Sequence, residues 1–370
     1  MGIVCVKQIF LNMKILLLLT EVFGKDGGIQ TYNRCLLKAL DELSNEHNLK
    51  ITAFILNDSD SPKTTFSDNI SLHCFKRNKI LFSFNSIFKS ENYDLIVLGH
   101  INFLPMVNLF YGKSKKCLIV YGVEVWRKLT FFERIELNKI HKILSISDFT
   151  KRELQKFNKI EDSRFSILPC TIVKPEENRI TIDKKPMAGK MILSVSRLIK
   201  TDKAKNIDLV IKALPAILKE VPNAFYVVVG DGDDLTRLKN LAKSLNVYEK
   251  VVFVGRASPD LLYYYYNSSD VFVLLSELEG FGIVFLEAMY FAKPCIGANI
   301  GGVLEVIEHG KTGLFVEPSN INSLVDNIVK LLRDEKLCNL MGKAGRERLE
   351  KEFLFESFKT KLKSAFLRDG

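Results

Sequence analysis

Two glutamates, an arginine and a lysine carry the chemistry that this sequence suggests. Glu279 and Glu287 lie in Ser276–Gly302, SELEGFGIVFLEAMYFAKPCIGANIGG. The apolar run Asp270–Leu275 leads into a turn bracketed by glycines, Glu279-Gly280-Phe281-Gly282. Ile283–Phe291 reads as a helix that ends before Lys293-Pro294, because proline disfavours α geometry in the residue preceding it. A strand, a glycine turn and a helix start together make an anion site, since the first helical turn has free N–H groups and a partial positive charge. Gly280 and Gly282 let the chain bend and let a ligand approach closely. Glu279 then sits on the turn at the ligand. Glu287, about a helical turn further in, can accept hydrogen bonds from a vicinal diol. Arg197 and Lys205 follow the strand Met191–Val195, in SRLIKTDKAKNID, with Lys203 as a second lysine candidate. Strand ends of open α/β sheets point into the ligand crevice. An Arg fork and a Lys point charge there can hold a diphosphate and stabilise it as a leaving group. Phosphate at a helix end and carboxylates near hydroxyls together describe a sugar nucleotide. The plainer reading is an ordinary strand-turn-helix with surface glutamates and two surface basic residues.

The elements that must position these residues alternate along the chain. Met13–Leu19 reads as a buried strand, and the loop Thr20–Gly28 ends in Gly27-Gly28 at the start of a helix whose apolar face is Tyr32, Cys35, Leu36, Ala39, Leu40 and Leu43. The pair is not G-x-G-x-x-G, so no dinucleotide fingerprint is present. Strands follow at Lys50–Leu56, Tyr93–Leu98, Lys116–Tyr121 and Ile143–Ile146, with helices at Glu133–Lys139 and Phe149–Phe157; Asp58–Ser71, which includes Asp58-Ser59-Asp60, reads as a polar surface loop. His100 stands just past a strand end. Lys174–Lys190, with Pro175, Pro186 and no apolar period, reads as a linker. The second half continues with helices Ile207–Lys219 and Leu235–Leu245, strands Phe225–Val229 and Val251–Val254, and a short helix Pro259–Tyr266. The strands stop at Gly230-Asp231-Gly232 and at Gly255-Arg256. Beyond Gly302 come a strand at Leu314–Val316 and helices at Ile321–Arg333 and Lys336–Glu350. This alternation predicts two doubly wound, mostly parallel α/β units.

Composition sets the class. The chain has 370 residues, 47% of them hydrophobic and 26% charged, which fits a globular protein of two domains. No apolar run approaches the roughly 18–20 residues of a membrane span. The seven cysteines are scattered with no C-x-x-C, which points to reduced thiols in the cytoplasm and no structural zinc. The net charge of +10 suits a phosphate-bearing substrate, an anionic membrane or nucleic acid, although no nucleic-acid motif accompanies it. Lys79–Lys89, KILFSFNSIFK, places Ile80, Phe84, Ile87 and Phe88 on one helical side. That side reads either as core or as a surface resting on a membrane interface. The leader MGIVCVKQIFLN precedes a strand-like MKILLLL, so both Met1 and Met13 stand as candidate starts.

The string EGFGIVFLEAM, with its two glutamates in E-x7-E spacing and with Arg197 and Lys205 upstream, resembles the signature of retaining glycosyltransferases of family 4 (glycosyl transferases group 1), which have the GT-B fold. The resemblance covers most of the chain and is strongest from Met191 to Pro318. It implies two Rossmann-like domains facing a central cleft: residues 1–180 on the acceptor side, 181–351 holding the donor, and 352–370 as a helix crossing back to the first domain. By the same resemblance Arg197 and Lys205 hold the donor diphosphate, Glu279 lies near the transferred sugar, and Glu287 takes the ribose hydroxyls. The amides around Gly280, Phe281, Gly282 and Ile283 meet the diphosphate and sugar. Gly27 and Gly28 face the donor, Gly255 and Arg256 flank the base pocket, and His100 contacts the donor sugar near the reacting carbon, with Glu279, His100, Arg197 and Lys205 as the catalytic set. The segment YGVEVW resembles a family His-Gly-x-Glu-x-Trp segment with Tyr121 in place of His, and it makes Glu124 a candidate for acceptor contact.

The resulting expectation is a retaining glycosyltransferase that uses a nucleoside-diphosphate sugar and needs neither a metal nor another cofactor. Its acceptor is a glycan or a lipid-linked hydroxyl in bacterial surface polysaccharide synthesis. It is expected in the cytoplasm, with peripheral contact to an anionic membrane and no nucleic-acid partner. The alternative is a catalytically inactive partner subunit that binds a sugar nucleotide.

Overall fold

The computed structural model describes residues 13–24, 27–60, 66–173, 187–201 and 203–367. The leader (1–12), most of the expected linker (174–186) and the side chain of Lys203 lie outside the described residues. The chain divides into two compact units, one of residues 1–173 with 355–370 and the other of 174–354.

The first unit runs β1 (Lys14–Leu19), α1 (Gly28–His47), β2 (Lys50–Ile55), β3 (Ile70–Cys74), α2 (Lys79–Phe88), β4 (Leu95–Leu98), a 3-10 stretch Ile101–Leu109, β5 (Lys115–Val120), α3 (Phe131–Leu137), β6 (Lys142–Ser145), α4 (Asp148–Phe157) and β7 (Phe165–Ile167). The strands form one sheet in the order β3-β2-β1-β4-β5-β6-β7, and every pairing is parallel. β1 is buried along Ile15–Leu19, as a central parallel strand covered on both faces must be. Below the sheet the core continues through Phe54, Phe82, Phe103 and Leu104 to Leu154.

The second unit runs β8 (Lys190–Val195), α5 (Ile207–Glu220), β9 (Ala224–Val229), α6 (Leu235–Ser244), β10 (Val251–Gly255), α7 (Pro259–Ser268), β11 (Val271–Leu274), α8 (Ile283–Tyr290), β12 (Cys295–Ala298), α9 (Val303–Val306), β13 (Gly313–Val316), α10 (Ile321–Arg333) and α11 (Glu335–Glu352). Its sheet has the order β10-β9-β8-β11-β12-β13, again all parallel. The last helix, α12 (Phe355–Leu367), belongs to the first unit and packs on α1. Lys359 reaches Glu42 there at 2.7 Å, and the Phe358 ring stands edge-on to Tyr32.

Three sequence expectations change. β3 starts at the end of the expected polar loop and runs on to Cys74, where no strand was expected, because only Ile70 of its five residues is buried and an edge strand needs no apolar run. β7 is three residues long, too short to leave a period. Asp58 is not at the surface: it is 2% exposed and accepts the backbone N–H groups of Val22 (3.0 Å), Phe23 (2.8 Å) and Gly24 (3.2 Å).

Candidate active site

In a doubly wound sheet the crevice opens where the strand order reverses, outside the carboxyl ends of the two strands that flank the reversal. In the second unit those strands are β8 and β11. The loop after β8 carries Arg197 and Lys205, and the loop after β11 carries Ser276, Glu277 and Glu279. Topology therefore brings together residues some 70 positions apart: Lys205 Nζ donates to Glu279 Oε2 at 2.8 Å and to Ser276 Oγ at 3.2 Å. Both charged side chains are about four-fifths withdrawn from solvent. Each offsets part of the other's desolvation, which an isolated buried charge could not do. Arg197 is exposed at the mouth of the same loop and makes no ion pair among the described residues. One small cavity is lined by Arg197, Lys205, Asn206, Asp208, Asp234 and Arg237.

The turn itself needs its glycines. Gly282 caps α8 with φ +98°, a left-handed conformation, and a Cβ there would come within 2.6 Å of the Phe285 ring. Gly302 lies flat on the turn: its N–H donates to Glu279 O at 2.9 Å, and a Cβ would meet Gly280 O at 2.1 Å. The Phe281 side chain is buried against Phe353, so only its main chain is left for a ligand. α8 begins at Ile283 with no acidic residue in its first turn, which leaves its N-terminal charge uncompensated. Glu287 projects from the middle of α8, half-buried, and accepts the Tyr266 hydroxyl at 2.7 Å. Burial pushes the Glu287 carboxyl up to about 7, and the hydrogen bond from Tyr266 opposes that rise. Beside this crevice the loops after β9 and β10 touch through Gly230 N–H to Gly255 O at 2.9 Å, and Arg256 is exposed.

In the first unit the reversal lies between β1 and β4. The loop after β1 leads to Gly27 and Gly28, and β4 is followed by Gly99 and His100. Asp58 gathers three amides of the first loop, and from α1 Asn33 Nδ2 and Arg34 donate to the carbonyls of Glu21 and Val22. Gly27 is extended, not left-handed, and Gly28 opens α1 with no side-chain cap. His100 Nδ1 accepts from Asn102 N at 3.1 Å, which leaves the proton of the neutral ring on Nε2. Burial lowers the His100 pKa while the Glu124 carboxylate raises it, so these two expected residues face each other electrostatically. Glu124 Oε1 already accepts the amides of Tyr121 (2.6 Å) and Gly122 (3.1 Å). Tyr121 turns its hydroxyl inward to Asn33, a structural use where a family histidine was the comparison.

Sequence reasoning passed over Asp58, Asn206, Tyr266 and Ser276. A carboxylate just after β2, beside a glycine loop, was a readable signal for Asp58. Nothing in Tyr263–Tyr266, four tyrosines in a row, tells which one meets Glu287. Asp231-Gly232-Asp233 is a second D-x-D; Asp233 Oδ1 accepts Lys200 N at 2.8 Å and Asp231 Oδ1 accepts Gly232 N at 2.8 Å.

Comparison with known proteins bears on the family and the fold. Residues 176–348 match the family described as Glycosyl transferases group 1. The chain is 30% identical over 258 residues to N-acetyl-alpha-D-glucosaminyl L-malate synthase of Bacillus anthracis, a match covering 68% of this chain and 63% of that protein. It is 35% identical over 184 residues to a GDP-mannose-dependent alpha-(1-6)-phosphatidylinositol monomannoside mannosyltransferase of Mycobacterium tuberculosis, covering 48% of this chain and 47% of the relative. The chain thus spans about half to somewhat under two thirds of the length of these relatives. Among solved structures, Anabaena Alr3699/HepE in complex with UDP and glucose superposes with a TM-score of 0.74 at 18% identity, over 95% of this chain and 98% of that one.

Proposed function

Because the second unit of this chain is a group 1 glycosyl transferase domain and the fold is GT-B, we propose that the protein is a retaining glycosyltransferase that uses a nucleoside-diphosphate sugar. The observation that carries the reading is the meeting of Lys205 with Glu279 at the strand reversal, beside the exposed Arg197 and the start of α8, whose first turn holds no acidic residue. Cations and amides there suit a diphosphate, and the two carboxylates suit sugar and ribose hydroxyls. In the transfer the bond from the sugar's anomeric carbon to the diphosphate oxygen breaks with oxocarbenium character. The acceptor oxygen bonds to the same face, and its proton passes to the leaving phosphate. Arg197, Lys205 and the α8 amides take up the charge that develops on the diphosphate, so the proposed chemistry calls for no metal. His100 and Glu124 are the proposed groups of the first unit toward sugar and acceptor.

The acceptor proposed is a glycan or lipid-linked hydroxyl of a bacterial surface polysaccharide, reached at an anionic membrane. The relative that acts on a phosphatidylinositol mannoside supports this class. So does α2: Ile80 is 84% exposed and Phe84 and Phe88 are more than half exposed, among the exposed Lys76, Arg77, Lys79 and Lys89. Of the two readings of Lys79–Lys89, the core one holds for Ile87, which packs partly buried against the core, but not for Ile80, Phe84 and Phe88; the buried residues of the helix are Phe82 and Ser86.

A thermal-shift panel of UDP, GDP, ADP and CMP with their common sugars, on wild type and Arg197→Ala, tests the donor site. A ligand at about 100 times its Kd stabilises by roughly 2.7 kcal/mol, a shift of several degrees. A shift with one base that is lost in the variant is the expected result. No shift with any of them overturns the donor-site reading.

A further inference from the structure

Asn206 follows Lys205 and precedes α5 in the left-handed conformation, φ +53° and ψ +34°. Glycine adopts that backbone at least cost, and asparagine is the next most tolerant residue. An asparagine before a helix ordinarily caps it with its side chain, yet Asn206 makes no cap bond. Its amide instead crosses to the other loop: Nδ2 donates to Leu275 O at 2.9 Å and to Glu277 Oε1 at 2.9 Å. Next to it, the Glu277 N–H donates to Ala204 O at 2.8 Å. Lys205, between these ties, reaches Ser276 and Glu279. A lysine is a compact charge on a flexible four-carbon stem, and it holds a geometry only when the backbone beneath it is held.

We propose that Asn206 is a positioning residue: its side-chain amide locks the Lys205 loop onto the Glu279 loop and so presets Lys205 for the donor diphosphate. The proposal rests on the donor-site reading above and deepens it. A glycine at this position would keep the turn and the Ala204–Glu277 backbone bond but would lose both amide bonds. The asparagine thus does something that the left-handed backbone alone does not require.

Three variants separate the amide from the backbone. Asn206→Gly keeps the conformation and deletes the amide. Asn206→Ala deletes the amide and strains the backbone. Asn206→Asp sets a carboxylate against Leu275 O and the Glu277 carboxylate. Affinity for UDP, GDP and ADP is measured by calorimetry, and amide hydrogen exchange is followed across 204–206 and 275–279. A positioning role ranks affinity as Asn above Gly, with Gly close to Ala and Asp lowest. The loss in Asn206→Gly is roughly tenfold, the worth of two hydrogen bonds. Exchange then quickens in the two loops while β8 and β11 keep their protection, which also shows that the variant is folded. A backbone role alone ranks Gly equal to or above Asn, and that result overturns the proposal while leaving the donor site standing. If the wild type binds none of the three nucleotides, the donor-site reading falls, and the role of Asn206 falls with it.

Discussion

Glu287 is a residue whose charged form works against stability. Its carboxyl is raised by burial from an ordinary 4.5 to about 7, so the folded protein holds the proton more tightly than the unfolded chain does. Stability from this group is therefore greatest with the carboxyl protonated. It declines as pH rises from about 4.5 to about 7 and levels off above that. The ceiling is on the order of 3 kcal/mol, lowered by the solvent that reaches this half-buried side chain. Glu287→Gln keeps a partner for the Tyr266 hydroxyl and removes the charge. Melting curves are expected to place the variant above wild type at about pH 8 and level with it near pH 5, while its nucleotide affinity falls. A difference that stays constant across pH would refute the titration. The E-x7-E spacing was visible in the sequence, but the tyrosine that meets the second glutamate was not, because the pairing spans α7 and α8.

At the scale of elements, the loop after β1 depends on a residue of the next strand's end. Asp58 accepts three consecutive amides of that loop from a buried position. Asp58→Ala leaves those N–H groups without their acceptor, and urea unfolding is expected to show a loss of about 2–3 kcal/mol. Asp58→Asn is expected to lose nearly as much, since an amide can offer its one oxygen to fewer of these donors. If Asp58→Ala unfolds at the wild-type midpoint, the loop is held by Asn33 and Arg34 alone. The strand at Met13–Leu19 and the helix after Gly28 were legible from period and punctuation. A carboxylate after β2 hinted at what joins them, but its partners were not legible, because hydrogen bonds donated by residues 22–24 to residue 58 leave no local pattern.

At the scale of the whole molecule, the exposed face of α2 bears on the proposed membrane contact. On α2, the exposed rings of Phe84 and Phe88 lie tilted against each other at 4.2 Å between centroids, with Tyr111 beside Phe88 at 6.1 Å. No helix among the described residues is long and apolar enough to cross a membrane. An amphipathic face ringed by lysines binds an interface through apolar burial plus attraction to anionic lipid. The protein is expected to sediment with phosphatidylglycerol vesicles and not with phosphatidylcholine vesicles, and to be released by high salt. The double change Ile80→Ser, Phe84→Ser is expected to abolish binding with nucleotide affinity unchanged. Equal binding of the double variant would remove α2 as the contact.

The sequence by itself determined the class of most elements, the two-unit α/β plan and the glycine turn with its glutamates. Those features are written in short-range periods and in residues with special backbone freedom. The tertiary structure decided which of them meet. The strand order put β8 beside β11, so that Lys205 and Asn206 reach Ser276, Glu277 and Glu279 across some 70 residues. It also decided that Asp58 is buried and that one side of α2 is bare. Both depend on neighbours supplied by distant parts of the chain, and the order in which parallel strands lie side by side is not a property of any one of them.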